Sequence, residues 1–262
     1  MNEITPSSEG LPRPRRLLWG RLLQVIIHPR STLAWVVEQE RAVWLTPLLL
    51  ISLAALLQVL ATGTIRREMA MSGEVALPSG FEYYAPSQQA QFYQAQAATT
   101  SATFVYLLPA AGALLTAWMG WLFTGAGLHL ALTLVGSRST SASTLNLAAW
   151  AGIPFAARSL VRAAFIYLAH RLIASPGLGG FAPAGGEGLA VVAAVLLGLV
   201  DLFLIWHVLL LVTGVRSLPG ATASKAWLAV GLTVLVGLLL QAAPGYLAAR
   251  LSGMTVIRPF LF

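Results

Sequence analysis

Three side chains in this sequence have both the chemistry and the spacing to act together: Arg158, Arg162 and Asp201. Each falls inside a long apolar stretch. An ionisable group at bilayer depth costs several kcal/mol unless it is paired or wetted. Arg158 and Arg162 are four residues apart, so a helix puts them on one face, about 6 Å apart along its axis. Asp201 lies near the middle of the next apolar stretch. On antiparallel neighbours the three come to similar depth, and Asp201 is expected to pair with Arg158. Arg162 is then left to a lipid phosphate, a carbonyl or water. Two functions fit such a trio. It can lock two helices together, or it can line an ion or proton path. One acid with two bases is a sparse relay, and a buried ion pair is often chiefly an orienting device.

Other chemistry is thin. There is no cysteine, so disulfides, iron–sulfur clusters and thiolate zinc sites are excluded. His129 and His207 fall at similar positions in their apolar stretches, yet two histidines lack the third or fourth ligand that zinc takes. The sequence holds no H-E-x-x-H, G-x-S-x-G or G-x-x-x-x-G-K-[ST] pattern. The Ser/Thr run over 137–144 reads as loop and helix cap, not as a nucleophile. No enzymatic activity, no cofactor and no metal are expected.

The elements that must position the trio are read from composition. Of 262 residues, 57% are hydrophobic and 10% charged, and mean hydropathy is +0.77. Soluble chains carry about 25% charged residues, so the solvent of this chain is lipid. The fold class expected is all-α: a polytopic membrane helix bundle with five transmembrane helices and an amphipathic N-terminal helix. About 20 helical residues cross a hydrocarbon core of about 30 Å. The membrane domain covers 43–247, with spans at about 43–62, 103–135, 145–173, 189–213 and 226–247. The second and third are longer than a bilayer needs, and Pro109 and Pro154 are candidate kinks. Residues 1–14 read as a disordered tail and 248–262 as a C-terminal tail. No cleavable signal peptide is expected, because the apolar run over 22–27 is short and ends at His28-Pro29-Arg30.

Residues 15–42 form an amphipathic arm. Pro29 divides it, and Ser31 is expected to cap a second short helix reaching Glu40. Arg15, Arg16 and Arg21 can face lipid headgroups; the alternative is an arm packed on the bundle. Between the first two spans, Phe81, Tyr83, Tyr84, Phe92 and Tyr93 fit an interfacial belt or a binding surface. The run over 87–100 reads as a helix extending the second span. Gly112, Thr116, Gly120 and Thr124 recur every four residues, as do Ala190, Ala194 and Gly198. Such small-residue stripes let helices pack closely, within one chain or between copies.

The net charge of +7 is scattered beside the spans, which argues for topology signals and against nucleic acid. A cytoplasmic N-terminus places Arg13, Arg15, Arg16, Arg21, Arg30, Arg41, Arg138, Arg216 and Lys225 inside. Arg66, Arg67, Arg171, Arg250 and Arg258 are then outside, nine basic residues against five. The C-terminus is expected outside, and the cell membrane is the expected location. Fifteen arginines to one lysine, with much Ala, Leu and Gly, fit a GC-rich bacterial genome.

Three stretches carry a family resemblance. VIIHPRSTLAWVVEQERAVWLTPLLL (25–50) is similar to an amphipathic lead with a Pro-x-x-Thr element before a first span. GSRSTSASTLNLAAWAGIPF (136–155) is similar to a Gly-started polar loop followed by a small/aromatic stretch ending in Ile-Pro. LIWHVLLLVTGVRSLPGATASKAWLAVGL (204–232) is similar to a connection between fourth and fifth spans. In this order they resemble the Yip family of membrane proteins, named for interacting with Ypt/Rab GTPases, in its bacterial branch. The resemblance covers about 25–247. It implies five spans, a cytoplasmic N-terminus and an accessory or scaffolding character, and no catalytic residue. The expected partners are the lipid bilayer and another membrane protein, or self-association. A small-solute or ion transporter using the Arg/Asp trio is the alternative.

Overall fold

The computed structural model describes residues 17–72, 81–173, 176–181 and 189–252. The expected tail over 1–14, Arg15 and Arg16, and residues 253–262 of the expected tail over 248–262 lie outside the described residues; 248–252 belong to the last helix, which runs on to Ser252. Every regular element described is helical. After a short 3-10 turn come α1 (Leu22–Ile27) and α2 (Pro29–Val37). The long helices α3 (Leu45–Ser72) and α5 (Leu108–Leu134) flank α4 (Pro86–Thr99). Next are α6 (Ser141–Ala151) and α7 (Ile153–Ala169), then α8 (Leu189–Leu199), α9 (Leu202–Val215) and α10 (Ala223–Ser252).

Four apolar helical stretches are long enough to cross a bilayer: 45–69, 103–134, 141–169 and 223–243. The segments 192–199 and 202–215 pass the same test only as a pair, bent by 67°. The packing decides how to count them. One core joins Val25, Leu33 and Val36 of the arm to Leu128 and Leu132 of α5, Leu147 and Trp150 of α6, Leu211 and Val215 of α9, and Ala226 and Val230 of α10. The end of α9 and the start of α10 therefore lie at the arm's end of the bundle. The bent pair runs towards that end, so the expected all-α membrane bundle has four unbroken candidate crossings and a fifth where the bent pair counts as one.

The prolines mark boundaries. Pro109 opens α5 directly after a π-helical turn at Thr103–Leu107. Proline has no N–H to give and clashes with a straight preceding turn, so the wider turn precedes it. Pro154 opens α7, and Gly152 stands at the junction with α6. A Cβ on Gly152 would sit 3.0 Å from Ile51 Cδ1 and 3.1 Å from Ala149 O, so the residue type there lets α3 come close. Thr140 caps α6 by accepting the Ser143 N–H at 3.1 Å.

The arm is docked. His28, not Ser31, is the cap position of the second arm helix; that helix starts at Pro29 and ends at Val37, short of Glu40. Ser31 Oγ instead donates to His28 O. Leu33 and Val36 are fully buried, and α2 packs on α6 and α9. The Leu18 N–H donates to Thr46 Oγ1 at 2.9 Å, tying the arm's start to α3. Leu23, Ile26 and Ile27 on α1 stay exposed, a face suited to acyl chains.

Candidate functional site

The trio stands at a gap in the fourth span. The expected continuous helix over 189–213 is two helices, and Asp201 is not inside either. Its backbone is extended, with φ −143° and ψ 175°, and it is the N-cap of α9. Asp201 Oδ1 accepts the Leu204 N–H at 2.9 Å. A short acidic side chain is among the best acceptors for the orphan N–H groups of a first turn, and its charge suits the positive helix end. A sequence-only reading missed this because the flanking residues are uniformly apolar and contain no Pro or Gly at 199–203.

The turn after α7 completes the gap. Residues 177–181 form a 3-10 turn that packs on α8, and the Leu178 N–H donates to Val200 O at 3.0 Å. Gly177 has φ +59°, and a Cβ there would lie 2.6 Å from Val200 O. Only glycine combines that backbone with that approach. Both backbone ends of the gap are thus satisfied, which non-helical backbone at membrane depth requires.

Both arginines reach the remaining carboxylate oxygen. Arg162 Nη2 lies 3.2 Å from Asp201 Oδ2, and Arg158 Nη1 lies 3.5 Å from the same atom. The expected division, with Arg158 paired and Arg162 left over, is corrected: Arg162 makes the shorter contact. The reason is that α7 presents both residues on one face while the extended Asp201 sits between them. Side-chain exposure is 28% for Arg158, 24% for Arg162 and 12% for Asp201, so the chain itself covers the cluster only in part. The Arg158 guanidinium also lies 4.7 Å over the Phe155 ring, a cation–π contact. Phe155 in turn lies against His207, with centroids 4.6 Å apart.

The remaining polar residues do not extend the trio into a path. His207 Nδ1 is 2.7 Å from Ala151 O; a carbonyl only accepts, so that nitrogen donates. His129 Nδ1 instead faces Ser139 Oγ at 3.4 Å, so each histidine has its own partner. Thr116 is exposed on the bundle surface. Among the described residues, no three acidic or histidine side chains could hold a metal ion together.

Asn146 is the residue that sequence reasoning undervalued. It is fully buried. Its Oδ1 accepts the Val43 N–H at 2.9 Å, and its Nδ2 donates to Gln39 O at 3.2 Å and Arg41 O at 2.9 Å. Trp150 Nε1 donates to Val43 O at 3.0 Å. One helical turn of α6 thus holds the link between arm and first span. An asparagine in an apolar stretch was the available signal.

The small-residue stripes divide. Gly112 and Gly120 have no neighbouring heavy atom within 4 Å of a built Cβ, and Thr116 faces outward. Within the chain α5 packs instead through Gly125, against Leu145, and Gly127, towards Thr233. Thr124 and Ala194 are half-buried, and Gly198 lies under the 176–181 turn. Arg21 is half-buried, with its guanidinium 3.7 Å over the Trp35 ring. Of the loop aromatics, Phe81 is buried and packs on Tyr84, Phe92 and Tyr93 at 5.0–5.6 Å, while Tyr83 is exposed. They form a local cluster on α4, which is a separate helix ending at Thr99 and does not continue the second span.

Helices of this length and apolarity, closed around a charged gap, define a multi-pass helical membrane protein whose surroundings are a lipid bilayer. The Yip1 domain matches residues 23–243. The chain belongs to the Yip1 domain family. No curated protein and no solved structure matches the chain significantly.

Proposed function

We propose that this Yip1-family protein is a non-enzymatic accessory subunit that binds another membrane protein, or a second copy of itself, through a lipid-facing helix. The open face of α5 carries the reading. In the most apolar window of that span 6% of residues are buried, against 28–33% in the other long spans. Exposed leucines there need no partner, since acyl chains suit them equally well. Gly112, Thr116 and Gly120 are different. Small residues let another backbone approach closely, and among the described residues nothing comes within 4 Å of a Cβ built at either glycine. We further read the protein as a member of the bacterial branch in the cell membrane, its N-terminus cytoplasmic and its C-terminus outside. Arg15, Arg16 and Arg21 are read as headgroup contacts, Arg21 sharing its charge with Trp35.

The test is purification of the full chain from its native membrane in mild detergent. The expected wild-type particle is larger than the 27.7 kDa monomer and contains a stoichiometric membrane partner or a second copy. Gly112→Leu with Gly120→Leu should release it while leaving the helical signal intact. A monomeric wild type, or a complex that ignores both leucines, would sink the reading.

A transporter is the second reading, favoured by one observation: a broken helix with a charged cap at its gap, an arrangement found at transporter binding sites. Solute flux in liposomes by the purified protein alone would establish it over the accessory role.

A further inference from the structure

Two arginines share one carboxylate oxygen at the gap, and the balance of charge and donors is uneven. Two guanidinium groups against Asp201 leave a formal charge of +1. Asp201 is the only aspartate in the sequence, and the only other acidic residue after Glu82 is Glu187, two residues before α8. Oδ1 takes the Leu204 N–H, and Oδ2 takes both arginines. Most of the guanidinium donors remain open. Each guanidinium has five N–H donors and gives Asp201 a single nitrogen. Both arginines keep about a quarter of their side-chain surface open.

Depth narrows what can meet them. α9 has 14 residues and is about 21 Å long. Its C-terminal end packs with the arm, so its capped N-terminus falls short of the far face of a core of about 30 Å. An arginine reaches the remaining distance to a headgroup by snorkelling. The gap is also built, not frayed. Asp201 caps one side, and the Leu178 N–H with Gly177 closes the other.

We propose that Arg158 and Arg162 hold a monoanionic oxyanion, a phosphate ester or a carboxylate, at the gap between α8 and α9. Its oxygens take the guanidinium N–H groups that Asp201 leaves open, and its charge brings the cluster to neutrality. The source is either the headgroup of an anionic phospholipid or a free solute. The proposal does not depend on the accessory role, since it concerns a different face and a different ligand.

The experiment uses the purified full chain in two arms. In the first, native mass spectrometry counts lipids retained from nanodiscs of equal phosphatidylglycerol and phosphatidylcholine. A lipid source predicts phosphatidylglycerol enrichment of about fivefold, the ratio one arginine commands at an anionic surface. Arg162→Gln should abolish it, and Arg171→Gln, outside the cluster, should keep it. Arg162→Lys keeps the charge and the fold but offers a point donor in place of a fork, and should lower the enrichment. In the second arm, inorganic phosphate is titrated in neutral detergent. A free-solute source predicts a phosphate-dependent rise in Tm for wild type and a smaller one for Arg162→Lys. The proposal is overturned if wild type shows neither enrichment nor a rise in Tm, or if Arg162→Lys matches wild type in both arms.

Discussion

Replacing Asn146 by leucine tests whether one buried amide fixes the arm to the membrane domain. The side chain fits a similar volume but makes no hydrogen bond. Three bonds are lost, to the Val43 N–H and to the Gln39 and Arg41 carbonyls. Side-chain hydrogen bonds in membrane proteins average about 0.6 kcal/mol, so uniform accounting gives about 2 kcal/mol. The three partners are not equivalent. Val43 is 7% exposed, and its stranded N–H carries an unsatisfied-donor penalty of about 1–3 kcal/mol. Gln39 is half-buried and Arg41 is exposed, so water can replace much of what their carbonyls lose. The expected loss is about 2–4 kcal/mol, dominated by Val43. Asn146→Asp should be worse, because a second carboxylate oxygen then faces two carbonyls. The assay is denaturant unfolding in mild detergent, with hydrogen exchange followed over residues 38–44. Both should respond together: lower stability and faster exchange of the linker. A loss below about 0.5 kcal/mol, the range of a neutral surface change, with unchanged exchange would refute the latch.

The gap makes three further predictions. Asp201→Asn keeps a capping acceptor but strands two arginines, and should lower stability by about 2–4 kcal/mol, towards the lower part of the range for a broken buried pair because the chain covers the cluster only in part; Asp201→Ala should lose about 1 kcal/mol more, the cap itself. Equal stability of Asn and Ala variants in thermal unfolding would remove the capping role. Gly177→Ala forces a side chain into a left-handed backbone against Val200 O, and should destabilise by more than the roughly 1 kcal/mol that the same change gains where the backbone suits alanine; a neutral result in the same assay would mean the turn does not close the gap. A reporter enzyme fused after Phe262 should be active outside the cytoplasm if the bent pair is a full crossing and the arm is cytoplasmic. Cytoplasmic activity would contradict that orientation.

The sequence carried some of this plainly and hid the rest for identifiable reasons. Composition settles the lipid environment, because a low charged fraction and long apolar runs have few other meanings. Four spans follow from length, since the crossing length is set by the bilayer, but the bent pair passes only when its two pieces are joined. The arginines were legible as a pair from four-residue spacing alone. Asp201 was legible as a charge in an apolar run but not as a cap. In a soluble helix the same residue would follow a polar loop; here it interrupts a run of Leu and Val, and hydropathy treats the run as one segment. Ser31 misled in the opposite way. It has the composition of a cap, but Pro29 at the first helical position puts the cap at His28, three residues earlier. The docking of α2 depends on which face meets α6 and α9, a long-range fact that no local pattern contains. Asn146 bonds across more than 100 residues of sequence, beyond the reach of any periodicity.

The break in the fourth crossing has a simple candidate cause that falls short of explaining it. A single helix over 189–215 would run about 40 Å, longer than the hydrocarbon core. Tilting relieves such a mismatch at a fraction of a kcal/mol per Å, and a kink would relieve it too. Neither needs a charge. Where a gap is wanted, a serine or asparagine caps the new helix end without bringing an ion into lipid. This chain instead places an aspartate there and two arginines opposite it, groups whose desolvation an ion pair seldom fully offsets. The dense core lies at the arm's end of the bundle, away from the gap, so packing does not require the ions either. Mismatch accounts for a bend; it does not account for a bend held by three charges with one positive charge over. That surplus is the part of the structure that calls for a ligand.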